Sequence, residues 1–169
     1  MRMLNGLSEF LRYSLAGAKA SDAPLRDEIE AVRNYLDIEK IRFEDKLAVK
    51  FDIEPSAEDY RIPTLLIHPL VENALKYGMR TSALPLEIEV LARGGDGSLR
   101  LEVTNTGAWV QRSNDGSNAN GEGSGIGLEN IRRRLEQSFP QRHHFDVSEH
   151  NGRVRAVVRI GDKRGWEKQ

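Results

Sequence analysis

Apolar residues recur three or four positions apart in the first part of the chain, and this spacing predicts two amphipathic helices. The first has a stripe formed by Leu4, Leu7, Phe10, Leu11, Ser14 and Leu15. The second follows a helix-breaking cluster at residues 21–24 and has a stripe formed by Leu25, Ile29, Val32, Leu36 and Phe43. A helical hairpin cannot bury both stripes alone, so we expect it to pack against the following domain, a second copy of the chain, or both.

After Arg42, apolar and polar side chains alternate, which predicts strands. The alternation covers residues 47–53, 86–90, 99–103, 145–147 and 154–160, with hairpin turns predicted at residues 94–97 and 151–152. Helical spacing returns at residues 63–77, and we expect Gly78 to end that helix. Pro69 predicts either a kink or a helix that begins near His68.

A last helix is predicted at residues 126–138, with Leu128, Ile131 and Leu135 facing inward. Residues 107–125 before it are polar and lack periodicity, which inside a compact domain indicates a functional loop. The element order is helix, helix, then β-α-β-β-loop-α-β-β. This order predicts a two-layer α/β (α+β) sandwich with one mostly antiparallel sheet and helices on a single face.

The composition narrows the possible functions. The 169 residues include 25 Lys and Arg against 26 Asp and Glu, so the net charge of −1 gives no reason to expect binding to nucleic acid or to an anionic membrane surface. Cysteine is absent, which excludes disulfides, thiolate chemistry and cysteine-ligated metals. No apolar run is long enough to span a bilayer.

The segment Glu72-Asn73-Ala74-Leu75-Lys76-Tyr77 is the first candidate for chemistry. Asn73 and Lys76 are three positions apart and therefore share one helix face. An amide oxygen suits Mg²⁺, a lysine supplies a charge for phosphate, and the Tyr77 ring can pack against adenine. The alternative is a solvated amphipathic helix without a ligand.

Two further segments add to this candidate site. Asn105 and Gly107 follow a strand, where they can hydrogen-bond a purine and let a ligand approach the backbone, although such a sequence is also typical of a simple turn. Glycines then alternate at positions 121–127 and lead into a helix, so that backbone N–H groups and the helix N-terminus can bind phosphate. The glycines follow a polar loop and not a parallel strand, which disfavours a dinucleotide fold. A flexible hinge is the alternative.

Together these segments resemble the LytS-type sensor histidine kinases, within the gyrase/Hsp90/kinase/MutL (GHKL) class of ATP-binding folds. The likeness covers about residues 4–160. Residues 7–15 (LSEFLRYSL) resemble the stretch after the family's phosphoacceptor motif, and residues 35–43 (YLDIEKIRF) resemble its second dimerisation helix. Residues 69–78 (PLVENALKYG) are similar to its N box, and residues 123–135 (GSGIGLENIRRRL) to its G2 box and the next helix.

The resemblance implies that ATP and Mg²⁺ bind beneath a lid at about residues 108–124. It implies that Asn73 ligates Mg²⁺, that Lys76 contacts phosphate and that Asn105 faces adenine. The full set of candidate ATP-binding residues is Asn73, Lys76, Tyr77, Asn105, Gly107, Gly123, Ser124, Gly125, Ile126, Gly127 and Leu128.

The chain departs from the family pattern in several places. Asn105 stands where the family usually has Asp, Trp109 where it has a second Gly, and Arg153 where it often has Thr. No phosphoacceptor histidine precedes Leu4. His68 is interpreted as a packing or phosphate-shell residue. The other histidines are interpreted as solvated surface residues; they are His143, His144 and His150. No catalytic nucleophile is therefore assigned.

We therefore expect a C-terminal fragment of a protein-histidine kinase, with a partial dimerisation region at residues 1–43, an ATP-binding domain at 44–161 and a loose tail at 162–169. The resemblance implies a homodimeric, membrane-anchored parent whose cytoplasmic portion phosphorylates its own histidine and passes phosphate to a response regulator. We expect the fragment to make no direct membrane contact. Two alternatives stay open: an ATP hydrolase of the same fold, and a degenerate dimerisation or docking module without catalysis.

Overall fold

The computed structural model describes residues 22–109 and 126–161. The predicted first helix, most of the predicted lid and the tail lie outside the described residues. The described elements, in chain order, are β1 (Asp22–Pro24), α1 (Leu25–Phe43), β2 (Leu47–Ile53), α2 (Pro55–Glu58), β3 (Arg61–Pro63), α3 (His68–Thr81), β4 (Leu86–Gly95), β5 (Ser98–Thr106), α4 (Ile126–Ser138), β6 (His143–His150) and β7 (Arg153–Ile160), with a 3-10 turn at Glu44–Lys46.

Five strands form one mixed sheet in the order β2-β4-β5-β7-β6, and only β2 and β4 run parallel. Strands β1 and β3 form a separate antiparallel pair. The hairpins turn where the sequence predicts: Asp96 and Gly97 have φ of 51° and 74°, and Asn151 and Gly152 have φ of 51° and 70°. Consecutive residues with positive φ give the tight turns that suit the twist of paired strands.

Helices cover one face of the main sheet, so the two-layer sandwich predicted from the element order is confirmed. Alternate residues of the central strands face the helices and are buried, among them Val90, Leu101 and Val158. The opposite face is polar and carries ion pairs between neighbouring strands, such as Lys50 with Glu89 at 2.7 Å. The pleat of each strand therefore separates an apolar inner face from a charged outer one.

Helix α1 packs into the same core as the sheet. The stripe predicted from the sequence, Leu25, Ile29, Val32 and Leu36, is at most 6% exposed, and Phe43 is half-buried against it. Of the two partners considered for this stripe, the following domain packs against it in the structure. The predicted domain boundary between residues 43 and 44 stays a prediction. It would place α1 and the sheet in different domains, although the two pack against each other.

The predicted end of α3 at Gly78 is wrong. The helix starts at His68, with Pro69 in its first turn, and continues through Gly78 to Thr81. A Cβ at Gly78 would lie 2.5 Å from Leu86 Cδ1 and 3.2 Å from Asn105 Nδ2. Glycine stands there because the helix crosses the sheet closely, not because the helix stops.

Candidate functional site

The predicted magnesium and phosphate residues lie on α3. Asn73, Lys76 and Tyr77 are all half-buried. Lys76 Nζ is 5.9 Å from the centroid of the Tyr77 ring, at the outer limit of a cation–π contact. The spacing of three residues thus places an amide and an ammonium group on adjoining parts of one helix surface, as the sequence predicts.

The first turn of α4 approaches Asn73. A Cβ built on Gly127 would be 3.8 Å from Asn73 Nδ2, in ordinary contact. Two segments more than 50 positions apart in the sequence therefore meet at one point. Gly123, Ser124 and Gly125 lie outside the described residues, and of Ile126 only the backbone, at the start of α4, is described.

Asn105 lies on the helix-facing side of β5 beneath α3. It is 5% exposed, and its Nδ2 donates a hydrogen bond to the Thr106 carbonyl at 2.7 Å. This bond uses one of the two amide hydrogens, and the side-chain oxygen is the atom suited to accept from a ligand amino group. Its neighbour Gly78 is five positions after Asn73, so one helix connects the predicted adenine and magnesium residues.

The backbone after β5 is held by three hydrogen bonds to the β6–β7 hairpin and to α3. Gly107 N donates to Gly152 O at 2.8 Å, Ala108 N to Thr81 Oγ1 at 3.0 Å and Trp109 N to the Glu149 carboxylate at 2.7 Å. Trp109 itself is 37% exposed. The base of the predicted lid is thus tied to the β6–β7 hairpin and to the end of α3.

Hydroxyl groups at this base were missed by sequence reasoning. Thr81 Oγ1 donates to Tyr77 O at 3.0 Å while accepting from Ala108 N, and the Ser82 and Thr106 hydroxyls are 2.6 Å apart. A weak signal was available, because Thr and Ser at a helix end commonly bond to nearby backbone groups. Their partners are distant in sequence, so no spacing indicates them.

A buried carboxylate at the start of α3 was also missed. Glu28, on α1, is 0% exposed and accepts hydrogen bonds from the backbone N–H groups of Leu65, Leu66 and Ile67 at 2.6, 3.1 and 3.1 Å. The signal was its position, three residues after Leu25 and four before Val32, inside the apolar stripe of α1.

The histidines have different environments. The His68 ring packs edge-on against Tyr35, with ring centroids 4.7 Å apart, and burial lowers the pKa of His68 to about 4. His143 is not solvated as predicted: its side chain is 15% exposed and its Nδ1 is 2.8 Å from Phe139 O. His144 and His150 are exposed. His68 therefore has a packing role, and its neutral ring adds no charge near Asn73.

Among the described residues there is no group of three or more His, Cys, Asp or Glu side chains that could hold a metal ion. One amide oxygen on a half-buried Asn73 still fits Mg²⁺, which keeps several waters and takes its other ligands from substrate phosphates. In the same part of the chain, every helix is too short or too polar to cross a bilayer.

Comparison with known proteins gives consistent relatives. The family model described as "Histidine kinase" matches residues 1–47. The sensor histidine kinase YesM of Bacillus subtilis is 31% identical over 161 residues, covering 94% of this chain and 27% of YesM. The sensor protein LytS of Staphylococcus saprophyticus is 31% identical over 156 residues, covering 89% of this chain and 26% of LytS.

Over most of its own length the chain is similar to sensor histidine kinases. It spans about a quarter of the length of these curated relatives. The fold of this segment agrees with a solved structure of the catalytic domain of the histidine kinase ThkA, which superimposes with a TM-score of 0.58 at 16% identity over 83% of this chain and 93% of that one. A structure of ThkA in complex with the response regulator TrrA matches 98% of this chain and 49% of that chain, with a TM-score of 0.56 at 17% identity.

Proposed function

We propose that this segment is the Mg²⁺·ATP-binding catalytic domain of a two-component sensor kinase, and that it donates the γ-phosphoryl group to a histidine outside this sequence. The observation that carries the proposal is the approach of Gly127 to Asn73, with Asn105 beneath the same helix. The start of α4 thus meets α3 at Asn73, and Asn105 lies beneath α3 at Gly78.

Phosphoryl transfer needs positioning and charge neutralisation more than covalent help from the protein. Mg²⁺ supplies charge neutralisation when bound. Asn73 offers it an amide oxygen, and Lys76 offers phosphate a cation. The N-terminus of the 13-residue helix α4 lies beside Asn73, where its unpaired N–H groups and macrodipole favour phosphate oxygens. Asn105 accepts from the adenine amino group, and Tyr77 packs against the nucleotide.

The partners follow from the same proposal. ThkA has been seen with its response regulator TrrA, and we infer that the parent of this segment passes phosphate to a regulator of that class. The acceptor histidine would come from the parent's phosphoacceptor helix in a homodimer. We place the segment in the cytoplasmic portion of a membrane-anchored sensor.

Asn73→Ala tests the proposal directly. Calorimetry with a nonhydrolysable ATP analogue should show binding to the wild-type chain that is tighter with Mg²⁺ than with chelator. Asn73→Ala should abolish that difference because the substitution removes the proposed metal ligand. Asn73→Asp, which keeps an oxygen at the same place, should restore it. Arg80→Ala, an exposed position on the same helix, is the matched control and should bind as wild type does.

The calorimetry also separates the two alternatives. A docking module, favoured by Asn105 and by the exposed Trp109 at the lid base, would show no Mg²⁺-dependent binding. A hydrolase would need a carboxylate four positions before Asn73 to activate water, and that position is Pro69, in the first turn of α3. Steady multiple-turnover ATP hydrolysis by the purified chain would contradict the kinase proposal in favour of the hydrolase.

A further inference from the structure

The turn that leads into α3 is held by a carboxylate from another helix. Glu28 Oε1 accepts from Leu65 N, and Glu28 Oε2 accepts from both Leu66 N and Ile67 N. Leu65 has a φ of +57°, a left-handed conformation that β-carbon-bearing residues rarely adopt. Three successive backbone N–H groups directed at one point form a concave anion-binding site, and here the Glu28 carboxylate occupies it.

Glu28 supplies a hydrogen-bond acceptor at the N-terminus of α3. The N-cap residue Ile67 provides no side-chain cap hydrogen bond, and its own N–H donates to Glu28. Pro69 has no N–H, and Leu70 N and Val71 N both donate to Ile67 O, at 3.0 and 3.1 Å. The carboxylate therefore lies at the positive end of α3 and fixes where the helix begins.

The same turn is also fastened to α4. Arg134 Nη1 donates to Thr64 O at 2.8 Å. Arg134 is seven positions after Gly127, two helical turns along one face, and Gly127 faces Asn73. Helices α1, α3 and α4 are thus linked through one turn, and two of them carry the residues proposed to bind Mg²⁺ and phosphate.

A second contact joins α1 to the start of α3. Tyr35, seven positions after Glu28, packs its ring against His68, the first residue of α3, at 4.7 Å between centroids. Glu28 and Tyr35 lie on one face of α1, two turns apart, so α1 contacts α3 at its first residue and at the turn before it. Asn73 is five residues into α3, about 7.5 Å along the helix axis from His68.

We propose that Glu28 is a positioning residue for metal–nucleotide binding: its carboxylate sets the place of α3 relative to α1 and α4, and thereby aims Asn73 at the metal. The proposal rests on the proposed function. Through Glu28 it assigns to α1 a specific effect on the Mg²⁺-dependent part of nucleotide affinity.

The test compares Glu28→Gln with Val32→Ala in the full 169-residue chain. Glutamine keeps the size of the side chain but replaces one acceptor oxygen by an NH₂ donor, so at least one of the three backbone N–H groups loses its partner. Val32 is 0% exposed on the same helix, and its truncation lowers stability without touching the turn. Calorimetry measures the affinity for a nonhydrolysable ATP analogue with Mg²⁺ and with chelator.

We expect Glu28→Gln to reduce the Mg²⁺-dependent gain in affinity by about 10-fold or more, the usual effect of removing a residue that orients a metal ligand. Its affinity in chelator should stay that of wild type, and Val32→Ala should match wild type in both. Equal losses in the two variants would overturn the proposal by showing a merely structural role. A wild-type chain without Mg²⁺-dependent binding would instead defeat the proposed function itself.

Hydrogen exchange on the wild-type chain keeps the proposal testable if Glu28→Gln does not fold. The amides of Leu65, Leu66 and Ile67 should exchange more slowly with Mg²⁺ and the analogue than with the analogue and chelator, because aiming Asn73 at the metal holds the turn closed. Exchange that is the same in both conditions would overturn the proposal.

Discussion

At the scale of single residues, Gly107 follows β5 with a φ of +116° and lies against the end of α3. A Cβ there would collide with Thr81 Oγ1 and come within 3.2 Å of Ser82 N. The same glycine donates its N–H to Gly152 O. Both its backbone conformation and its surroundings therefore exclude a side chain.

Gly107→Ala should destabilise the domain by about 1–3 kcal/mol, from the strained φ and the displacement of Thr81. Urea unfolding measures the loss. Gly95→Ala is the control, since a Cβ there would meet nothing within 4 Å, and it should change stability by less than about 0.5 kcal/mol. Equal effects of the two substitutions would contradict the close approach at Gly107.

The site residues differ in how far the sequence could indicate them. Asn73 and Gly127 could be found from the residues next to them in the sequence. Asn73 is an amide on a helix face and Gly127 belongs to the glycines at a helix start, and each pattern indicated a ligand. Glu28 could not be found in this way, because its partners are backbone groups almost 40 positions away. A carboxylate within an apolar stripe signals only that some partner exists.

At the scale of elements, α3 begins with a half-buried histidine. Desolvation lowers the pKa of His68 from 6.5 to about 4, so the folded chain keeps this ring neutral where the unfolded chain would protonate it. The unfolded state therefore binds the extra proton between these two values, and stability falls as the pH drops through this window. Above pH 6.5 the group contributes no pH dependence.

His68→Gln should flatten the acid side of the stability profile. Urea unfolding at pH 7 and at pH 5 measures it, and the wild-type chain should lose stability with a slope that approaches about 1.4 kcal/mol per pH unit from this residue. His150→Gln, at an exposed position, should leave the wild-type difference between the two pH values intact. A wild-type slope in His68→Gln would show that the ring is not the source.

The longer elements were predictable because each carries a full period of apolar side chains. Helix α4 has the predicted bounds, and β2, β4, β5, β6 and β7 all contain the alternating runs that predicted them. Strands β1 and β3 have three residues each and α2 has four, too few to show any period. Gly78 led to a wrong helix end because glycine occurs both at helix ends and where a helix packs closely against a sheet. Only the packing against Leu86 shows which of these two roles Gly78 has.

At the scale of the whole molecule, α1 and the sheet share one core. Leu36 and Val158 are 1% and 0% exposed within one cluster of buried residues that also includes α3 and α4. A helix that shares its buried face with the sheet loses that burial when the sheet unfolds. We therefore expect one cooperative unit over the described residues.

Native-state hydrogen exchange should show this unit directly. The amides of Val32 and Leu36 in α1 should open with the same free energy as that of Leu101 in β5, because all three are exposed only by global unfolding. Exchange of the α1 amides at distinctly lower denaturant concentration would instead support a separate helical region ending near residue 43.

The two ends of β5 differ in their surroundings: one is the turn from β4 at Gly97, and the other is the segment after Asn105. Gly97 and Asn105 are eight positions apart along an extended strand, a distance of roughly 26 Å. Gly97 has open space around its α-carbon, whereas every backbone amide just beyond Asn105 is engaged. We therefore expect that segments inserted at Asp96 would project into solvent without crowding the proposed nucleotide site, so a longer protein can carry an attachment at this turn while the other end of the strand keeps its shape.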